Sequence, residues 1–268
     1  MEKKIISIIS CRLKKDVESL SKQFLSGNKN TSTRFLVIDD LLPKELAMKI
    51  FHSFPESIKM RFISSFRERK YTFKQLDKAP SILKDVTFAI QSSKVIRLIE
   101  KITKIFDQRP DQSLYAGGLS LMTKGNFLNP HIDNSHDSKR KYYRRLNLLY
   151  YVTPDWKTEY GGHLELWDNK VNKPVVIESF FNRLVIMETN SSSWHSVCPI
   201  SYDGKRCCVS NYYFSSQSPS GKDYYHVTSF GARPEQKFLR ILSRVDNFLR
   251  KNLRSVFKKG VGKVDVYK

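Results

Sequence analysis

LYAGGLSLMT (114–123) opens a series of short apolar segments that continues to residue 214. Each segment has the length of a β-strand, and glycine, proline, asparagine or charged residues separate it from the next. The later segments are RRLNLLYYVT (144–153), GGHLELWD (161–168), KPVVIES (173–179), NRLVIMET (182–189), WHSVCPI (194–200) and RCCVSNYYF (206–214). Many short strands at this spacing predict a β-sandwich or a β-barrel.

Helical patterns flank this β region. RFLVIDD (34–40) predicts one further strand, and Pro43 stands where the next helix can begin. Apolar residues at helical spacing predict a second helical region over 81–106 and a basic amphipathic helix over 235–258. The basic, aromatic-rich stretch 59–78 fits no regular element.

These patterns divide the chain into three parts. We expect an N-terminal extension at 1–30, consisting of a short helix and a linker. A β domain with N-terminal helical support follows at 31–218, and a basic helical extension at 219–268 ends the chain.

The chain of 268 residues has 47 Lys and Arg against 26 Asp and Glu, a formal net charge of +21. Such a charge favours encounters with anionic partners, which include nucleic acid, an anionic membrane surface and acidic small molecules. Four cysteines without a CxxC pair are typical of a reducing compartment, so we expect a cytoplasmic protein. No window has the roughly 18 to 20 apolar residues that a membrane span needs.

NPHIDNS (129–135) contains a candidate metal-binding pair. His131 and Asp133 are two residues apart, which places both side chains on one side of an extended strand. His195, at the start of another predicted strand, is the natural third ligand. Two histidines and one carboxylate leave coordination positions open for substrate and O2, as in non-haem iron oxygenases. An isolated His-x-Asp pair is also common on surfaces, and His136, Asp137 and His163 are nearby alternatives.

In combination, NPHID, LLYYVTPDW, GGHLELW, FNRLVIMET, WHSV and DGKRCCVSNYYF resemble the prolyl-4-hydroxylase-like branch of the Fe(II)/2-oxoglutarate dioxygenases. The resemblance covers about residues 114–217 and implies a mainly β fold with flanking helices. That fold is the double-stranded β-helix, a cupin-like jelly roll. By resemblance, His131, Asp133 and His195 bind Fe(II), and the cosubstrates are 2-oxoglutarate and O2, with ascorbate as an auxiliary reductant. Asp133 stands where related halogenases carry a small residue, so hydroxylation is expected.

2-Oxoglutarate needs a cation for its distal carboxylate, and Arg206 is the candidate because its planar guanidinium matches a carboxylate. Lys205 competes for this role. Ser210 and Tyr212 share the face of Arg206 on an extended strand, and Ser210 can add a hydroxyl hydrogen bond. By resemblance, Tyr151 supplies another hydrogen bond, with its neighbour Tyr150 as the alternative. Leu149 and Leu164 form the pocket wall by the same resemblance.

The substrate is not determined by these motifs. KRKYYRR (139–145) follows the metal motif where related enzymes carry a loop over the active site, so it either binds an anionic substrate or is simply solvated. We expect a small anionic molecule or a lipid-linked glycan, and a protein hydroxylase is the alternative. A nucleic-acid demethylase is disfavoured because Tyr212 occupies the position of that class's second arginine. An inactive binding protein is disfavoured by the intact ligand set.

The C-terminal segment from Arg233 contains eleven Lys and Arg against three Asp and Glu. A basic amphipathic helix of this kind is a candidate for binding an anionic membrane surface, here at the inner face of the membrane. Docking on the β domain and pairing with a second copy are the alternatives, and the oligomeric state is left open.

Overall fold

The computed structural model describes residues 1–256 and 266–267. These residues form a mainly antiparallel β-sheet, curled into a half-barrel and flanked by helices, as the sequence predicts. The helices are α1 (Glu2–Lys15), α2 (Val17–Ser26), α3 (Lys44–His52), α4 (Ser81–Ile90), α5 (Ser93–Thr103) and α6 (Lys237–Val256).

The strands are β1 (Phe35–Ile38), β2 (Arg61–Ser64), β3 (Glu68–Phe73), β4 (Arg109–Pro110), β5 (Gly118–Met122), β6 (Phe127–Ile132), β7 (Tyr143–Tyr151), β8 (Leu164–Trp167), β9 (Pro174–Ile177), β10 (Arg183–Glu188), β11 (His195–Val197), β12 (Arg206–Ser215) and β13 (Ser229–Phe230). Every apolar segment quoted above contains one of these strands. The stretch 59–78, which fitted no element, forms the hairpin of β2 and β3.

The strand order is β1-β10-β7-β12-β5-β3-β6-β11-β8-β9. Alternation along the strands separates two faces. On β12, Cys207, Val209 and Tyr213 belong to the main apolar core, whereas Cys208 lies in a second cluster on the opposite face. The main core is covered by α1 to α5, and the opposite face lines the interior of the half-barrel.

The N-terminal extension differs from its prediction in one respect. It forms two helices, and their apolar residues Ile5, Ile9, Leu13 and Phe24 are fully buried in the main core. Helix α1 packs against α4 and α5, and α2 packs against α5 and β1. Residues 2–26 are therefore part of the packed domain rather than an appendage.

The helical region predicted over 81–106 is helical and consists of two helices, α4 and α5. Helix α4 ends at Ile90, and the side chain of Ser92 accepts a hydrogen bond from the Val95 amide at the start of α5. An N-cap serine of this kind satisfies an amide that would otherwise lack a partner. The helix predicted over 235–258 is α6, and residues 257 and 258 lie outside the described part of the chain.

None of the helices in the described part of the chain is long and apolar enough to cross a membrane.

Candidate active site

The three predicted ligands converge at the open end of the half-barrel. His131 on β6 lies directly opposite His195 on β11, and their ring centroids are 4.1 Å apart. Asp133 follows β6, with its carboxylate oxygens 3.6 Å from His131 Nε2 and 3.7 Å from His195 Nε2. One ligand atom from each residue lies within 4.8 Å of the other two. Within the described residues, this is the one group of three or more such side chains close enough to bind a metal ion.

Backbone carbonyls set the tautomer of both histidines. His131 Nδ1 lies 3.0 Å from the Asn129 carbonyl oxygen, and His195 Nδ1 lies 2.9 Å from that of Ser193. A carbonyl oxygen only accepts, so each Nδ1 carries the proton and donates. Each Nε2 therefore presents its lone pair to the shared centre, which is the usual arrangement of metal-bound histidines.

The electrostatics of this centre favour a charged carboxylate at Asp133 and a neutral imidazole at His195. Burial alone would raise the pKa of Asp133, but Arg144 and the two histidines hold that pKa well below its usual range. Burial and the neighbouring His131 lower the pKa of His195 to about 4. At neutral pH Asp133 and His195 are thus in the protonation states that bind a metal ion.

The donor set fits iron. Asp133 Oδ2 is buried and has no hydrogen-bond partner among the described residues. A buried carboxylate oxygen without a partner is costly, and coordination to a cation removes that cost. Two imidazoles and one carboxylate are the protein ligands of the non-haem Fe(II) oxygenases.

A cavity of about 430 Å³ extends from the metal centre into the half-barrel. Its volume is in the range of small-molecule sites. The predicted pocket residues Leu149, Leu164, Arg206, Ser210 and Tyr212 all line this cavity together with the three ligands. Tyr151 is fully buried behind Arg206, with the guanidinium carbon 4.7 Å from its ring centroid.

Arg206 has the surroundings of a carboxylate anchor. It is buried, and its described hydrogen bonds go to Ser179 Oγ at 3.3 Å and Met122 Sδ at 3.5 Å. In the described residues it forms no salt bridge, so this buried cation faces the cavity without a counter-charge from the protein. A buried charge normally has a partner, and the distal carboxylate of 2-oxoglutarate is a suitable one. Lys205, the alternative, is exposed, with its ammonium 4.9 Å from the Phe51 ring centroid.

Tyr151 adds a second observation that fits the cosubstrate. Its hydroxyl is buried beside Ser179 and Arg206, and burial raises the pKa of the phenol to about 12. The phenol therefore keeps its proton and can donate it to a carboxylate beside Arg206. Tyr150, the alternative, points to the other face of β7 and donates to Asn182 Oδ1 at 2.8 Å.

Two cavity residues on β7 were not anticipated from the sequence. Arg144 Nη1 lies 3.2 Å from Asp133 Oδ1, and Nη2 donates to Asn134 Oδ1 at 2.6 Å. Asn147 donates to the Tyr212 hydroxyl at 3.0 Å. The two-residue alternation that selects Leu149 on β7 also selects Asn147, so its position was recoverable from the sequence. By binding one carboxylate oxygen of Asp133, Arg144 keeps this metal ligand in place.

The basic segment 139–145 does not cover the site in the way that the sequence suggested. Of its five basic residues, Arg144 alone lines the cavity. Arg145 points away and pairs with Glu188, whereas Lys139 and Lys141 are exposed. Arg140 stacks its guanidinium on the Tyr225 ring at 4.2 Å. Those four residues therefore do not contribute to the cavity wall.

The neighbouring histidines have structural partners. His136 packs against Tyr143 with the ring centroids 4.3 Å apart and the rings tilted by 46°, and its Nδ1 is hydrogen-bonded to Ser135 Oγ. His163 Nε2 donates to the Thr158 carbonyl oxygen, and its Nδ1 accepts from the Ser179 amide. Neither residue contributes an atom to the metal centre.

Residues 117–214 match the sequence profile of the 2OG-Fe(II) oxygenase superfamily. The chain carries a domain of the 2OG-Fe(II) oxygenase superfamily. The matched range contains the metal ligands and every predicted pocket residue. This superfamily uses Fe(II) and 2-oxoglutarate, so the chain is a 2-oxoglutarate-dependent oxygenase. No curated protein matches the sequence.

Solved prolyl hydroxylases share the fold of this oxygenase. A prolyl-4-hydroxylase from Pseudomonas putida has a TM-score of 0.55 at 13% identity, over 73% of this chain and 98% of its own. A prolyl 4-hydroxylase from Phytophthora capsici has a TM-score of 0.55 at 16% identity, over 95% and 80%. A prolyl hydroxylase from Trichoplax adhaerens, in complex with a hypoxia inducible factor peptide, has a TM-score of 0.51 at 19% identity, over 75% and 91%. At these identities the likeness shows the fold alone.

Proposed function

We propose that this oxygenase hydroxylates a substrate with a carboxylate or phosphate group, either a small molecule or a lipid-linked glycan. The observation that carries the proposal is the charge of the cavity wall. Its lining includes the basic residues Arg61, Arg67, Lys70, Lys74, Arg144 and Arg206, against the acidic residues Glu68 and Asp133.

The cofactors leave this excess of positive charge in place. The two positive charges of Fe(II) cancel the two negative charges of 2-oxoglutarate, so the bound cofactors together would not change the net charge of the cavity. Arg144 is engaged by Asp133, Lys70 by Glu68 at 2.8 Å, and Arg67 by Asp246 at 3.0 Å. Basic side chains outnumber acidic ones in the cavity wall, and in a low-dielectric cavity their positive potential favours an anionic ligand.

The residues of the chain have separable roles in such a reaction. His131, Asp133 and His195 would hold Fe(II), which, when bound, couples the decarboxylation of 2-oxoglutarate by O2 to oxidation of the substrate. Arg206 would bind the distal carboxylate of 2-oxoglutarate, and the Tyr151 and Ser210 hydroxyls would donate hydrogen bonds beside it. Arg144 keeps Asp133 in place. The apolar side chains of Leu149 and Leu164 limit the access of water to the cosubstrate.

Arg61 of the β2-β3 hairpin would bind the substrate anion and hold the target carbon near the metal. It lies at the start of β2, at the cavity wall. Fixing one end of a substrate in this way reduces the entropy that must be lost on the way to the transition state.

The structural neighbours raise peptide hydroxylation as the alternative, since all three are prolyl hydroxylases. Their likeness to this chain is one of fold. A neutral peptide does not require a cationic cavity, so the charge of the wall favours the anionic substrate.

The test is succinate formation in the presence of candidate substrates, namely phosphorylated sugars, acidic sugars, lipid-linked glycans, amino acids and proline-rich peptides. We expect stimulation by an anionic compound. The Arg61→Gln variant should raise the KM for that compound about tenfold or more, since one charge-assisted contact contributes about 1.5–3 kcal/mol. The matched control, Lys139→Gln, removes equal charge outside the cavity and should keep the wild-type KM. Stimulation confined to neutral peptides, unchanged in the cavity variant, would contradict the proposal.

A further inference from the structure

Helix α6 turns its apolar face to solvent. Phe238 is 76% exposed, Ile241 63%, Val245 52%, Phe248 66% and Leu249 54%. From Phe238 to Phe248 successive residues of this set are three or four positions apart, and Leu249 lies four positions after Val245, so all five form one stripe along the helix. Such exposure is uncommon for large apolar side chains that are grouped together, and contiguous apolar surface of this kind marks an interaction site.

The polar face of the same helix holds it to the body. Asn247 donates to the Phe230 carbonyl oxygen at 2.7 Å and accepts from the Phe230 amide at 2.9 Å. Ser243 donates to the Gly231 carbonyl oxygen at 3.3 Å, and Asp246 pairs with Arg67. The orientation is therefore the reverse of an ordinary surface helix, whose apolar stripe packs on the core.

A buried ion pair fixes the segment that leads into α6. Arg233 Nη1 lies 3.0 Å from Glu165 Oε1, the second guanidinium nitrogen bonds the other oxygen, and both side chains are buried. Arg240 donates to the carbonyl oxygen of Ala232 at 3.2 Å. These contacts make the outward orientation of the stripe a property of the fold, because rotating α6 about its axis would break the bonds on its polar face.

The net charge of α6 indicates which kind of partner its apolar stripe binds. Helix α6 contains the basic residues Lys237, Arg240, Arg244, Arg250, Lys251 and Arg254, and Asp246 is its one acidic residue. Asp246 faces Arg67 on the body, so negative charge is absent from the stripe itself. An apolar stripe that lacks acidic groups, on a helix of net positive charge, complements a bilayer that contains acidic lipids.

We infer that α6 is an interfacial helix, which binds an anionic membrane surface by inserting its apolar stripe among the lipids. This inference is independent of the reaction proposed above. Arg67 and Phe230, which α6 contacts, both line the cavity. Because the stripe and these contacts are on opposite sides of one helix, the cavity wall would lie about 10 Å from the headgroups.

Sedimentation of the full-length protein with vesicles tests the inference. We expect binding to vesicles of phosphatidylcholine mixed with phosphatidylglycerol, and much weaker binding to phosphatidylcholine alone. The Phe238→Ser, Ile241→Ser, Phe248→Ser triple variant should weaken binding about 100-fold. All three side chains are exposed, so the variant should keep its fold and its metal affinity. The matched control replaces exposed apolar residues elsewhere, Ile58→Ser and Val176→Ser, and should bind like wild type.

Two further readouts separate the membrane from other partners. In a Phe248→Trp variant the added tryptophan should shift its emission to shorter wavelength on anionic vesicles, and in an Ile58→Trp variant it should not. Equal vesicle binding by wild type and the triple variant would overturn the inference, because charge alone would explain it. Loss of self-association in the triple variant, without any vesicle binding by wild type, would also overturn it and assign the stripe to a second copy of the chain.

Discussion

His131 and His195 face each other on adjacent antiparallel strands, and each ring is held by the backbone carbonyl two residues before it. The tautomers and orientations that a metal ion requires are thus fixed by main-chain geometry. Asp133 is fixed from a third direction by Arg144. A centre built in this way is organised before the metal binds, which lowers the entropy lost on binding.

The metal centre gives the first prediction. His131→Ala or His195→Ala should lower the affinity for Fe(II) at least about 100-fold, because loss of a ligand costs more than loss of an outer hydrogen bond. Anaerobic titration with Fe(II), or with Mn(II) as a redox-stable substitute, measures the effect. His136→Ala is the matched control and should keep wild-type affinity, since His136 is buried near the site but coordinates nothing. A reversed ranking of the three variants would mean that the ligands are misassigned.

The second prediction concerns the anchor of 2-oxoglutarate. Arg206→Ala should raise the half-saturating concentration of 2-oxoglutarate about 10- to 100-fold while Fe(II) still binds, since charge-assisted hydrogen bonds contribute about 1.5–3 kcal/mol. Tyr151→Phe should raise it up to about tenfold, because one neutral hydrogen bond is lost. Steady-state succinate formation measures both values. Lys205→Ala should have no effect, and a larger effect there than at Arg206 would move the anchor to Lys205.

The buried Arg233–Glu165 pair gives a prediction about stability. Arg233→Ala leaves the Glu165 carboxylate buried without its partner and should lower the free energy of unfolding by about 3–5 kcal/mol. Urea denaturation measures the change. The exposed pair Lys84–Asp77 is the control, and Lys84→Ala should change the free energy of unfolding by about 1 kcal/mol or less. Equal effects of the two substitutions would show that the buried pair does not anchor the segment before α6.

The packing of the N-terminal helices is testable in the same way. Ile9→Ala removes a fully buried side chain and should lower the free energy of unfolding by about 2–5 kcal/mol. Ile58→Ala, at an 87% exposed position, should change it by less than about 0.5 kcal/mol. A negligible effect at Ile9 would mean that residues 2–26 are an appendage after all.

The metal ligands were predictable because their spacing repeats the period of a strand. His131 and Asp133 are two residues apart, and Arg206, Ser210 and Tyr212 follow the same alternation on β12. Each of these side chains lies where the alternation placed it. The apolar stripe of α6 was likewise visible at helical period.

Arg144 was not predictable because the strand is irregular there. From Leu149 and Asn147, strict alternation would turn Arg145 into the cavity. The pairing of β7 with β12 shifts between Tyr213 and Phe214, so Leu146 and Arg144 oppose consecutive residues and Arg145 is the extra residue. A bulge of this kind moves the side chains beyond it to the opposite face of the sheet, and the local sequence contains no signal that predicts it.

The orientation of α6 was unpredictable for a different reason. Periodicity locates an apolar stripe but does not say which side of the helix meets the body. Three polar side chains of α6 decide that side. Asn247 and Ser243 bond to Phe230 and Gly231, which precede the helix, and Asp246 pairs with Arg67, which is distant in sequence. The N-terminal helices present the same difficulty, because their partners α4 and α5 come more than 50 residues later.

Succinate formation is the most direct test of the account. The purified chain, given Fe(II), 2-oxoglutarate and O2, should convert 2-oxoglutarate to succinate even without added substrate, and nuclear magnetic resonance follows both compounds. His131→Ala, His195→Ala and Arg206→Ala should each suppress this conversion, whereas His136→Ala should preserve it. Absence of succinate from the Fe(II)-loaded wild type, or its undiminished formation by the His131 and His195 variants, would contradict the assignment of this site as a 2-oxoglutarate-dependent oxygenase centre.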